Sequence, residues 1–489
     1  DTVIVGAAEV TGDRVHEAAA TALLPRTRHR PGDAAVAMVV TTEVRARALG
    51  LPDRALVDVD AIDGHDEIDR QAHVLDDAAD LVTSRFGHAH AASGLLHLAA
   101  GVLACERAMR PSRAAEHPWI APRSERRLIV RVSAFDGETA TCTVRAGDRQ
   151  ASPSPGPIVV LIGATDARDL GRLLREDGSR SRVLPGAPLR LAIVADDEVR
   201  LRASVERVCR QIEAGDEPAG EGVWYSRRPT GGRVAFAFPG AAAAYAGAGR
   251  ELLASLPELA ECLAVHVPDL ADLAVDVLDR PTIEAPFDQL RACTLTSQIH
   301  ARLCLDLLGL RPDAAIGLSS GETNALVAFG VWRDPGGLIA DVEASGMYGH
   351  HLTGPCESAR QAWGLPAGTP VDWMAWSVLA SSDTVRAIIV RLGVRATVTI
   401  VNAPDDCVIA GDRAACDRVI AELGPGRAID LKHPMVVHCA ELAPFADTWR
   451  RVHTRPTHSA PGIAFYANAF NGPYTPTESR VAEALTVQA

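Results

Sequence analysis

The chain has 489 residues, 47% of them hydrophobic and 23% charged, a globular composition that excludes a disordered chain and is too long for one ordinary domain. Its formal net charge of −13 excludes a general nucleic-acid-binding role, because an acidic surface repels a phosphate backbone. Ten cysteines with no CxxC pair and no metal-ligand spacing, no signal peptide and no membrane-length apolar run imply reduced thiols, a cytoplasmic location, no metal and no membrane.

In chain order, TVIVGAA opens as a buried strand. AAVAMVVTTEVRARAL (34–49) reads as a strand feeding a helix, and RALVDVDAID as a further strand. HAHAASGLLHLAAGVLACERAM reads as a helix buried on most of its circumference, with Gly87 and Gly94 near its start. Residues 116–230 read as a small α/β unit. It holds the paired strands RRLIVRVSAFDG and TATCTVRAG, then IVVLIGA, a helix, LRLAIVA and a long helix from Asp197 to Ala214. Arg123, Arg126 and Arg127 form its one compact basic patch, expected to be a solvated surface.

Residues 231–489 form the largest unit, beginning with the strand and tight turn GRVAFAFPG. Residues 383–432 read as an inserted α/β subdomain: the helix TVRAIIVRLG, the strands ATVTIVNAP and DCVIAGD, and the helix RAACDRVIAEL. Both ends of the chain read as interrupted elements, so the expectation is an excerpt from a larger polypeptide.

Gly317-Leu318-Ser319-Ser320-Gly321 is a GxSxG motif between the apolar segment AAI and the helix-forming segment ETNALVAF. Strand, sharp turn and helix in that order make a nucleophile elbow, which lifts the Ser319 hydroxyl to the mouth of a site. The N–H of Ser320, at the start of the helix, can face a developing oxyanion. A serine needs a base, and sixteen histidines leave the choice open by spacing. His438, on a turn after the inserted subdomain, is one candidate; His433, His350 and His351 compete with it.

From Arg233 onward the chain resembles the malonyl/acyl-CoA:acyl-carrier-protein transacylases of fatty-acid and polyketide synthases. FAFPGAAAAYAGAGREL, AAIGLSSGE, VNAPDDCVIAGD, HPMVVHC and AFYANAFNG match that family's segments in its order. The resemblance implies an α/β-hydrolase-like core with an inserted ferredoxin-like subdomain. It places the catalytic histidine on His438 and implies an oxyanion hole from the N–H groups of Ser320 and Ala241. It puts Leu318, Ser345 and Val437 at the substrate pocket. It also implies that a final strand and a histidine-orienting asparagine lie beyond this sequence.

Residues 1–115 resemble the second half of a ketosynthase, a partial thiolase-like region, with His88 on that family's catalytic histidine. Residues 116–230 resemble the ketosynthase–acyltransferase linker domain. The order is that of a type I polyketide synthase. GLSSGETNALVAFG and WRDPGGLIADVEASGMYG look most like the enediyne and polyunsaturated-fatty-acid-synthase types. No cysteine precedes Cys105, no EAHGTGT pattern occurs and Thr83 replaces a lysine, so His88 is expected to be a structural remnant.

The transacylase part also departs from its pattern. Ala241 replaces a glutamine, and Ser345 stands where an arginine would meet a malonyl carboxylate, with Arg333 or Arg360 as possible substitutes. The implied chemistry is transfer of an acyl group from acyl-CoA, through acyl-Ser319, to the phosphopantetheine thiol of an acyl carrier protein, with no bound cofactor. A ketosynthase domain or subunit is the implied neighbour, with dimerisation through the ketosynthase-like part. Two alternatives are an acyl-thioester hydrolase or editing domain, and a non-catalytic docking scaffold.

Overall fold

The structure, a computed structural model, describes residues 2–9, 34–50, 54–58, 73–76, 82, 92–110, 117–133, 139–147, 157–228, 231–470 and 472–489. The chain divides into two compact units, one of residues 152–233 and one of the remainder.

The smaller unit is an antiparallel sheet of Ile158–Ala164, Leu189–Ala195 and Val223–Ser226, with Leu189–Ala195 central. Two helices, Ala167–Asp177 and Glu198–Ala214, pack on it. Each begins at an aspartate, Asp166 or Asp197, whose carboxylate accepts the backbone N–H three residues on. Alternation in LRLAIVA sends Leu191 and Ile193 inward against Leu170, Leu174, Leu201 and Val208, which form a separate core.

The linker boundary expected at residue 116 is not where the contacts divide the chain. The hairpin Arg127–Ser133 and Thr139–Ala146 forms as read. It is joined, however, by Ala55–Asp58 on one edge and His73–Asp76 on the other, so it belongs with the first part of the chain. Thr2–Glu9 pairs antiparallel with Ala34–Thr41. Helix Ser93–Arg107 packs its buried side on the hairpin, and Cys105, Leu128 and Val144 share one apolar core with Leu259, Leu270 and Phe465. Among the described residues no thiolase-like subregion stands apart from the rest. The basic patch is solvated only in part: Arg127 is exposed as expected, but Arg126 is 1% exposed and donates to the carbonyl of Ala121.

The main sheet runs Ala235–Phe238, Ala314–Gly317 and Ala464–Ala467 in parallel, closed by Gly472–Tyr474 antiparallel. Helix Gly321–Ala328 is buried at all eight positions beneath it. Phe329 anchors that helix, with its ring edge against Phe238 and Phe465. Ligand sites of such sheets form at the carboxyl ends of the parallel strands, where Gly240, Ser319 and Asn468 all lie.

The inserted subdomain is a βαββαβ unit with strand order 396–403, 406–412, 373–378, 428–430, all antiparallel, which is the ferredoxin-like arrangement. It begins earlier than the expected residue 383, because Trp373–Val378 supplies a central strand. Both faces of its sheet are covered. Val378, Cys407 and Ile409 pack under its two helices, while Ala375, Val408 and Ala410 face the other way, towards Cys356 and Val436.

Leu201→Ala, which empties a fully buried site in the smaller unit, is expected to destabilise that unit by about 2–5 kcal/mol. Hydrogen exchange across residues 157–228 reads this, with protection elsewhere unchanged.

Candidate active site

The elbow is fixed by what its glycines leave out. A Cβ on Gly317 would overlap the backbone of Gly321 and Glu322, and one on Gly321 would overlap the carbonyl of Phe238. Between them Ser319 adopts φ 54°, a left-handed conformation that a side chain accepts only under constraint. The Leu318 N–H donates to Phe238 O at 3.0 Å, and the Glu322 N–H to Ser319 O at 3.0 Å.

Asn468 ties the elbow to the neighbouring strand. Its side-chain amide donates to Gly317 O at 2.8 Å and to Glu322 Oε1 at 2.6 Å, and its backbone N–H donates to the same carboxylate oxygen. Glu322 is 4% exposed, and burial raises its pKa against the lowering effect of these bonds. The carboxyl group is thus a brace, and Asn468 is the partner that holds it.

His438 brings its Nε2 to 2.8 Å from Ser319 Oγ, and its Nδ1 to 2.6 Å from the backbone carbonyl of Gln488. A carbonyl can only accept, so Nδ1 carries the proton and Nε2 is free to accept from the serine. His438 also has a left-handed backbone, φ 60°. Bonds on both sides pin its loop: Val436 N–H to Leu352 O and Cys439 N–H to Ala489 O. Helix Glu478–Val487 sets Gln488 in place, with Trp449 Nε1 donating to Leu485 O. Burial pushes the His438 pKa below its ordinary value, and the bond to Gln488 works the other way. The ring is therefore neutral, the form in which it can take a proton.

The two residues open onto a cavity of about 290 Å³ between the strand ends and the helix-free face of the ferredoxin-like sheet. Ala241 and Ser320, the expected oxyanion pair, both line it, as do Leu318 and Val437. The loop at Gly240 runs close against the elbow: a Cβ there would lie 3.1 Å from the Leu318 carbonyl oxygen, a tight approach, and 3.4 Å from the Ser319 Cβ.

Ser345 does not line the cavity, contrary to expectation. It caps helix Pro335–Ala344, donating to Val342 O at 2.6 Å and accepting from the Met347 N–H. Of the suggested substitutes, Arg360 pairs with Glu357, and Arg333 lines a different cleft. Of the rival histidines, His433 lines the cavity but is bonded through Nδ1 to Gln289 Oε1 at 2.6 Å. His351 stacks on Phe445, and His350 is exposed. His88 lies outside the described residues.

The holder of the histidine is the main feature that sequence reasoning missed. It was expected beyond the sequence, as an asparagine; a backbone carbonyl at Gln488 does the holding, and no side-chain pattern signals a carbonyl. Among the described residues no group of three or more His, Cys, Asp or Glu could hold a metal ion, and no helix is long and apolar enough to cross a membrane.

No family model matches the chain. Over 186 residues it is 30% identical to a polyunsaturated fatty acid synthase polypeptide of Thraustochytrium sp., covering 36% of this chain and 9% of that protein. It is 24% identical over 453 residues to a phenolphthiocerol/phthiocerol polyketide synthase polypeptide of Mycobacterium tuberculosis, covering 78% of this chain and 28% of the relative. The chain spans less than a third of the length of these curated relatives. Among solved structures, it is similar to the acyltransferase domain from module 8 of the salinomycin polyketide synthase. That match has 23% identity and a TM-score of 0.52 and covers 68% of this chain and 79% of the other. Residues 234–489 therefore have the fold of an acyltransferase domain, an α/β-hydrolase-like core with an inserted ferredoxin-like subdomain.

Two results are expected. Asn468→Ala strips one bond from a buried carboxyl group and one from the elbow, leaving the backbone N–H bond to Glu322 in place, and should cost about 1–3 kcal/mol in chemical denaturation. The rate of Ser319 modification by an uncharged serine-directed reagent should stay level down to the ordinary imidazole value of about 6.5 and fall only below it, since the base must be neutral.

Proposed function

We propose that this chain transfers acyl groups from acyl-CoA to the phosphopantetheine thiol of an acyl carrier protein, within a polyketide or fatty-acid synthase. The observation that carries the reading is the 2.8 Å contact between Ser319 Oγ and the unprotonated Nε2 of a histidine held through its other nitrogen. The likeness to an acyltransferase domain in fold, and to synthase polypeptides in sequence, supports it.

In the first half-reaction Ser319 gives its proton to His438 as Oγ bonds to the thioester carbonyl carbon. The oxyanion faces the N–H groups of Ser320 and Ala241. When the C–S bond breaks, the coenzyme A sulfur takes the proton from His438, and an acyl-serine ester remains. In the second half-reaction the carrier thiol gives its proton to His438 and attacks the ester. The C–O bond breaks, and Ser319 recovers its proton.

The finer placement is part of the same proposal. Residues 1–115 are read as a ketosynthase-like remnant including His88, residues 116–230 as the linker, and residues 231–489 as the transferase, with the start of the linker moved to about residue 152 because the hairpin 127–146 pairs with the first part. The alignment covering 78% of the chain extends upstream of residue 231, so the likeness to a polyketide synthase polypeptide is not confined to the transferase part. The match to a polyunsaturated fatty acid synthase supports the iterative type named from the sequence. A ketosynthase partner, dimerisation through the first region and a cytoplasmic location follow from that placement.

With a holo carrier protein and an acyl-CoA donor, Ser319→Ala should abolish carrier acylation, and His438→Ala should slow it on the order of 1,000-fold or more. Intact-mass measurement of the carrier reads both. Undiminished transfer by Ser319→Ala would contradict the reading.

A further inference from the structure

The acyl chain must lie in the cavity next to Ser319, and the character of that cavity limits what the chain can be. None of the described residues lining it is Asp, Glu, Lys or Arg. Leu290, Leu338, Ile339, Val342, Met435 and Leu485 supply apolar walls. The polar groups that reach it are neutral ones, hydroxyls such as Thr294 and Thr323 and the amide of Asn402.

Its other two imidazoles carry no charge at neutral pH. Burial, reinforced by His438, pushes the His433 pKa down to about 4, and burial pushes that of His453 down to about 4. His433 Nδ1 is committed to Gln289, and His453 Nδ1 to the carbonyl of Trp449.

The cations nearby in sequence to the walls are engaged elsewhere. Arg291, beside Leu290, pairs with Asp276 and Asp288. Arg360 pairs with Glu357, and Arg455 with Asp334 and Asp341. Lys432, between the lining residues Leu431 and His433, is exposed and is not itself part of the wall. A carboxylate carried in on the acyl chain would lose its hydration and find no cation among the described lining residues, which a low-dielectric site penalises heavily.

We infer that the acyl group accepted by Ser319 is an uncharged alkanoyl chain rather than a carboxylated one such as malonyl or methylmalonyl. This rests on the acyl-serine reading above, and goes beyond it by naming the class of donor. The apolar walls favour the hydrocarbon, and the missing cation disfavours the diacid.

The test is acylation of the full chain by acetyl-, butyryl- and hexanoyl-CoA against malonyl- and methylmalonyl-CoA, followed by intact mass and compared with Ser319→Ala. At least one uncharged donor should give a Ser319-dependent adduct at a rate on the order of 100-fold or more above either diacid donor. Equal or faster acylation by malonyl-CoA or methylmalonyl-CoA would overturn the inference and leave the transferase reading intact. Ser319 reactivity is read separately with an uncharged alkyl fluorophosphonate. Labelling by that reagent without an adduct from any uncharged acyl-CoA overturns this inference alone. Failure of the reagent to label folded protein overturns the proposed function, and this inference with it.

Discussion

The imidazole of His438 is held from both sides, by the Gln488 carbonyl at Nδ1 and by the Ser319 hydroxyl at Nε2. Those two bonds join three chain segments that are remote in sequence, and each segment is fixed by its own device. Glycines at 317 and 321 bend the elbow. Backbone bonds on either side clamp the histidine loop. A C-terminal helix delivers the carbonyl. Ser319 and His438 both sit in left-handed backbone, a strain of order 1–3 kcal/mol each that surrounding structure must hold. Here that structure is visible, in Asn468 bracing Glu322 and in the tie from Leu318 to the adjacent strand.

The cavity follows from the layering. The core sheet contributes its strand ends, and the ferredoxin-like sheet contributes the face opposite its helices. One wall thus carries Ser319 and His438, and in the proposed function the other shapes the acyl site. Ala375, Val408 and Ala410 keep that second wall small and apolar. Because the histidine is buried, its neutral form is favoured, so one environment both keeps the base ready and turns charged chains away.

Much of this was legible in the sequence. The elbow could be read because GxSxG sits between an apolar strand and a helix-forming run, and most strands and helices formed where their periodicity placed them. His438 could not be chosen on spacing among sixteen histidines, and only the resemblance selected it. The structure adds the reason, since His433, His350 and His351 are otherwise engaged or exposed. What sequence could not supply were partners made of backbone, such as the Gln488 carbonyl, and contacts set by distant packing. Ser345 is an example: the resemblance put it in the pocket, yet its hydroxyl is spent on the end of its own helix. The strand Trp373–Val378 was missed because it is covered on both faces and shows no alternation. The hairpin at 127–146 was assigned to the linker because its sheet partners are far away in sequence.

The central claim is a covalent relay through one serine, and it is tested most directly by isolating the acyl-enzyme and chasing it. The protein is acylated, freed of donor, and mixed with holo carrier protein or with buffer; quenched samples are then read by mass at the Ser319 peptide and at the carrier thiol. The account predicts that the acyl group persists on Ser319 in buffer and moves to the carrier thiol in equal amount. Loss to water at the same rate with and without carrier would contradict it and identify a hydrolase.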